Sequence, residues 1–145
     1  NLDEVLEREK DIDMLLHLGD VENDDDYIEA VTDCPVHIVA GNNDYFSYLP
    51  REKEIQIGKY KVFMTHGHNY YVSMNTERLR QAARQRGADI VMYGHTHRPK
   101  VDASEDVIVV NPGSLSYPRQ EGRRATYIIM EINRAGEAEF TLHYV

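Results

Sequence analysis

Apolar positions along this chain follow two rhythms. Behind Asn1, Leu2, Val5 and Leu6 keep helical spacing and Asp3 and Glu4 suit a first turn, which predicts a helix with Asn1 as its N-cap. DMLLHLGD then reads as a buried strand that runs out at Gly19-Asp20. The helical rhythm returns in NDDDYIEAV, where Tyr27, Ile28 and Val31 share a face. CPVHIVAGNND is a second strand, running into Gly41. EIQIGKYKVFMTHGH predicts a hairpin turning near Gly58-Lys59, its second strand ending at His66. NTERLRQAARQRG is a helix stopped by Gly87, and the apolar run ADIVM opens into the loop GHTHRP. KVDASEDVIVVNPGS predicts a hairpin around residues 104–106, and ATYIIMEINRAGEAEFTLHYV another around residues 134–136.

Strands alternate with helices early and follow one another late, which gives an α/β class with one or two mixed sheets. At 145 residues the chain is expected to form a single domain, 1–145, with a core of its own. Neither a repeat nor a linker divides it. Composition is that of an ordinary globular protein, and no run nears the roughly 18 apolar residues of a membrane span. Cys34 is the only cysteine, which excludes an internal disulfide and a Cys-rich zinc site. The opening NLDEVLEREK lacks the basic start and apolar core of a signal peptide, so a cytoplasmic setting is expected. A formal net charge of −9 argues against non-specific nucleic-acid binding and against anionic membranes. It leaves room for an anionic substrate, because bound divalent cations reverse the local sign.

The chemistry gathers at the strand ends. Four apolar runs finish in HLGD, VAGNND, MTHGH and MYGHTH, and a fifth in VVNPGS. In α/β sheets, sites form where loops leave the carboxyl ends of strands. Asp20, Asn42, His66, His95 and His97 would then share one rim. A carboxylate, an amide oxygen and three imidazoles suit manganese, iron, nickel or zinc better than magnesium or calcium. Simpler readings hold elsewhere. His17 and His37 sit inside strands as hydrogen-bonded structural residues, His143 is a surface residue, and Cys34 a small core residue. Asp24 to Asp26 form a helix N-terminus, and the four arginines from Arg78 to Arg86 a solvated face.

Taken in order, GD (Gly19-Asp20), GNND (Gly41 to Asp44), THGH (Thr65 to His68), GHTH (Gly94 to His97) and NPGS (Asn111 to Ser114) resemble the calcineurin-like metallophosphoesterases, most closely their small prokaryotic-type phosphodiesterase branch. The resemblance covers essentially the whole chain. It implies a four-layer α/β/β/α sandwich with two divalent transition metals, manganese foremost, at the strand ends. By that resemblance Asp20 bridges the metals, Asn42, His66 and His95 complete one site, and His97 belongs to the other. Asp44, His68, Asn111 and Ser114 are expected to support ligands or face substrate. No catalytic residue beyond the metal ligands is implied. The implied activity is phosphodiester hydrolysis by a metal-bound hydroxide on a small substrate; self-association is compatible with all of this.

Two features depart from the family pattern. Its opening strand, ending in Asp-x-His, has no counterpart here, so the chain is expected to lack that segment and to hold a second metal weakly. Asn43 stands where many relatives carry a histidine able to protonate a leaving group. The alternative function is a weakly catalytic or inactive scaffold of the same fold, as in the retromer subunit.

Overall fold

The computed structural model of the chain describes residues 1–145 except positions 46, 117 and 121. Among the described residues, helices α1 (Leu2–Arg8), α2 (Asp25–Val31) and α3 (Glu77–Gln85) accompany nine strands. The strands are β1 (Leu15–His17), β2 (Val36–Ile38), β3 (Glu52–Ile57), β4 (Tyr60–Thr65), β5 (Ile90–Met92), β6 (Pro99–Asp102), β7 (Ile108–Pro112), β8 (Thr126–Ile132) and β9 (Ala138–Tyr144). The α/β class and the mixed sheet expected from the sequence are therefore present.

A five-stranded sheet, in the order β3-β4-β5-β7-β6, forms the centre. Its inner strands β4, β5 and β7 are parallel, and β3 and β6 are antiparallel edges. Alternation decides what each face meets. Val62, Met64, Ile90, Met92 and Val110 point to one side, where they pack with Leu18, Val39, Ile128 and Phe140 from the β1–β2 and β8–β9 pairs. Phe63, Val91 and Val109 point to the other, where Leu79, Ala82 and Ala83 of α3 cover them. Burial on both faces is why these strands read as unbroken apolar runs rather than alternating ones. A third cluster sets Val21, Ile28 and Ile38 with Leu2, Leu15 and Val36, seating α1 and α2 against β1 and β2.

Local chemistry accounts for the ends of the elements. Gly87, at φ +68°, closes α3, with the Ala88 N–H donating to the Ala83 carbonyl at 2.9 Å and the Gly87 N–H to the Arg84 carbonyl at 3.0 Å. The β3–β4 hairpin pairs Ile57 with Tyr60, so its turn is Gly58-Lys59 as expected. Asn1 occupies the N-cap position of α1, but its side chain makes no capping bond and donates instead to the Leu115 carbonyl. The arginines of α3 correct a second expectation. Arg80 is buried rather than solvated, held by Asp102 at 2.9 Å and Glu105 at 3.0 Å. Arg86 pairs with Glu52 and lies over the Phe63 ring. Cys34 is half-buried and outside the core clusters. His143 stacks on Tyr127. Among the described residues no helix is long and apolar enough to cross a membrane.

Candidate metal centre

Parallel pairing of β1 with β2, and of β4 with β5 and β7, carries the chain out of each pair or triplet on one side. Gly19-Asp20, Gly41 to Asp44, His66 to His68 and Gly94 to His97 follow β1, β2, β4 and β5. Three of the expected ligands, Asp20, His95 and His97, adopt left-handed backbone conformations at φ of 59°, 66° and 59°. Non-glycine residues take that conformation at a cost, and it clusters where function holds it in place.

His66 sits at the middle of the cluster, buried to 2% exposure. Its Nδ1 lies 2.6 Å from the Leu18 carbonyl. A carbonyl only accepts, so Nδ1 carries a proton and Nε2 is the nitrogen left to face the cluster. That Nε2 lies 3.3 Å from Asp20 Oδ2 and 3.3 Å from His95 Nδ1. His95 Nδ1 in turn lies 3.1 Å from Asn42 Oδ1. Burial, then the neighbouring His66 and His68 rings, push the His95 imidazole below its ordinary pKa, keeping it neutral. Burial does the same to His17, whose Nδ1 accepts the Gly19 N–H at 3.2 Å beneath the site.

Backbone and amide groups fix the carboxylate. Asn43 donates to Asp20 twice, from its N–H at 2.8 Å and its side-chain amide at 3.2 Å. Asp44 accepts the N–H groups of Asp20, Gly41 and Glu22, each at 2.7 Å. Burial pushes the Asp44 carboxyl upward, but the N–H groups of Gly41, Glu22, Asp20 and Val21 outweigh it and hold the group below its ordinary value. Both Asp44 oxygens thus serve the loops that carry Asp20 and Asn42. A Cβ on Gly19 would lie 2.4 Å from His66 Nδ1, so only glycine lets this ring approach the β1 end.

On the β5 side, the fully buried Asn111 donates to the Gly94 carbonyl at 3.1 Å and to Thr96 Oγ1 at 3.0 Å. Its own Oδ1 accepts the Gly113 N–H at 2.9 Å, which ties GHTH to the NPGS turn. Ser114 stands in that turn, its carbonyl accepting the Thr126 N–H at 3.1 Å. His97 is held at its carbonyl by the Arg119 N–H at 3.1 Å. The His68 ring lies 5.4 Å from His66 and 6.2 Å from His95 between centroids. His37 stands apart, with Lys53 Nζ 2.7 Å from its Nδ1.

Asp20, His66, His95 and Asn42 are therefore linked neighbour to neighbour. Among the described residues no three His, Cys, Asp or Glu side chains already surround one ion position. The donors stand in a row, Asp20 beside His66 and His66 beside His95. Their chemistry fits a divalent transition metal nonetheless. Donors about 2.1 Å from a shared ion lie roughly 3.0–3.4 Å from one another, which spans the 3.1 and 3.3 Å gaps observed. A ligating histidine whose other nitrogen donates to a backbone carbonyl is the usual outer support of such a site. The support from the Leu18 carbonyl is not legible in the motifs, since a backbone acceptor leaves no signature in side-chain identity; Asn43 stands within GNND, but its bond to Asp20 is not legible there.

The family model for the calcineurin-like phosphoesterase superfamily domain matches residues 1–135. A relative from Methanothermobacter thermautotrophicus, described as a probable metallophosphoesterase, is 37% identical over 112 residues, covering 76% of this chain. The match spans 64% of that relative's length. A crystal structure from Streptococcus pneumoniae, of a protein described as a predicted phosphoesterase, superposes with a TM-score of 0.79 at 27% identity, covering 99% of this chain and 89% of the other. Vps29 of Entamoeba histolytica, solved in complex with zinc, shares the fold with a TM-score of 0.79 at 23% identity, covering 98% and 88%.

Proposed function

Because the chain belongs to the calcineurin-like phosphoesterase superfamily, we propose that residues 1–145 act as one domain that hydrolyses small phosphodiesters with the help of divalent transition metals. Asp20, Asn42, His66 and His95 would hold one ion, and Asp20 with His97 would face a second; manganese is the first choice among manganese, iron, nickel and zinc. When bound, such metals supply a water-derived nucleophile near neutral pH and take up charge on the phosphoryl oxygens. The observation that carries the reading is the His66 arrangement, in which Nδ1 is committed to Leu18 and Nε2 is turned towards Asp20 and His95. That geometry fixes the tautomer a metal requires.

The remaining residues position rather than react. Asn43 and Asp44 orient Asp20 and the loop bearing Asn42, while Asn111 holds the loop bearing His95 and His97. Asn43 has no proton to give near neutral pH, so esters with good leaving groups are favoured. Two cavities border the Asn42 to Asp44 loop and would receive the organic arms of a diester.

The Vps29 comparison favours a second reading, a binding module that retains metal. Metal binding is common to both readings, and turnover separates them. Manganese-loaded protein is expected to hydrolyse bis(p-nitrophenyl) phosphate, to lose activity on chelation and regain it on manganese addition. His66→Ala and His95→Ala should lose at least about a hundredfold in kcat/KM, since each removes a proposed ligand. Stoichiometric metal with no hydrolysis of any activated diester would leave the scaffold standing.

A further inference from the structure

Two cavities border the Asn42 to Asp44 loop and differ in the charges that line them. One, of about 330 Å³, is lined by Asn42, Tyr45, Ser47, Arg51 and His68 among others. The other, of about 390 Å³, is lined by Glu22, Asn23, Asn43, Asp44 and Tyr45. Both volumes lie within the range of small-molecule sites. Asp44 also borders the first cavity, but its oxygens are occupied by three backbone N–H groups.

Arg8, Arg80, Arg84 and Arg86 each meet a carboxylate. Among the described arginines that meet none, the exposed Arg51 is the one that borders either cavity. Arg51 and His68 line the same cavity. His68 joins this cavity to the metal cluster, and its buried Nδ1 has no hydrogen-bond partner among the described residues. An unmatched guanidinium in a cavity wall, in a chain of net charge −9, is a fork shaped for a carboxylate or a phosphate. In the second cavity, Glu22 would repel the same group.

We propose that the Arg51 cavity is a specificity subsite for a substrate oxyanion. Building on the phosphodiesterase reading, Arg51 binds a carboxylate or phosphate carried by the ester arm that is retained, and Tyr45 walls that arm. The neutral leaving arm faces the Glu22 cavity. The enzyme thus prefers diesters with a second negative group.

The test uses three p-nitrophenyl diesters with the same leaving group and a phenyl, 4-carboxyphenyl or 4-phosphonophenyl retained arm. With manganese-loaded protein, kcat/KM for the better charged ester should exceed that for the phenyl ester by about tenfold, the size of one charge-assisted contact. Arg51→Gln should bring the ratio to about one, Arg51→Lys to an intermediate value, and Arg134→Gln, in the β8–β9 turn, should keep it. The larger of the two charged ratios names the oxyanion. A wild-type ratio near one, or a preference that survives Arg51→Gln, overturns the subsite even where all three esters are hydrolysed. If no diester is hydrolysed, calorimetric binding of phenyl and 4-carboxyphenyl phosphate to the manganese-loaded protein decides it. Discrimination lost in Arg51→Gln then upholds the subsite while the phosphodiesterase reading falls, and equal binding removes both.

Discussion

Gly41 leaves no room for a side chain: a Cβ would stand 2.2 Å from Asp20 Oδ1 and 2.5 Å from its backbone nitrogen. Gly41→Ala must therefore displace Asp20, and overpacking of this kind costs about 1–3 kcal/mol. Calorimetric manganese titration should show at least a tenfold weaker Kd, with far-UV circular dichroism retained; an unchanged Kd would remove Asp20 from the ligand set. His66→Ala and His95→Ala should lower bound metal, measured by elemental analysis after gel filtration, while His37→Ala and His143→Ala leave it unchanged. Equal losses across the four would count against the assignment, since His37 and His143 are engaged elsewhere, with Lys53 and Tyr127. Asn43 invites a gain-of-function test. Asn43→His keeps the backbone bond to Asp20 and adds a proton donor, so alkyl diesters should gain about tenfold or more over aryl ones. Rates insensitive to leaving-group pKa in both forms would argue against the missing-acid account.

Among the elements, α3 is pinned through charge as well as through its apolar face. Arg80 emerges from the buried side and meets Asp102 on β6 and Glu105 beyond it. The Ser104 hydroxyl and N–H, and then Arg80, hold the Asp102 carboxyl well below its ordinary range. A depressed carboxyl stabilises the fold above its unfolded pKa of about 3.9, and that contribution is lost as pH falls through the folded value. Asp102→Asn should thus lower Tm at pH 7, with the gap to wild type narrowing below about pH 4. A gap independent of pH would show that packing, not charge, links α3 to β6. The sequence shows α3 by its spacing and its stop at Gly87. It does not show that one arginine of the polar face lies inside, because ion-paired burial depends on carboxylates some 22 residues away that no local period reports.

For the molecule as a whole, metal binding and folding are linked, since the donors come from four separate segments of the chain and meet only in the folded state. Manganese at a hundred times its Kd should stabilise by about 2.7 kcal/mol; a rise in Tm that fails in His66→Ala would register it by calorimetry. The same separation explains what was legible. Local order determined the elements: unbroken apolar runs marked the strands buried on both faces, helical spacing marked α1 to α3, and glycines marked the turns. The order of five short motifs pointed to the donor set, because metal chemistry demands particular side chains. Tertiary structure alone decided the rest. That the Leu18 carbonyl sets the His66 tautomer, that Asn43 grips Asp20 and that Arg51 and Glu22 face different cavities all follow from long-range packing. The sequence encodes which side chains are available. Distance, orientation and the partner left unpaired exist only once parallel strands bring their ends together.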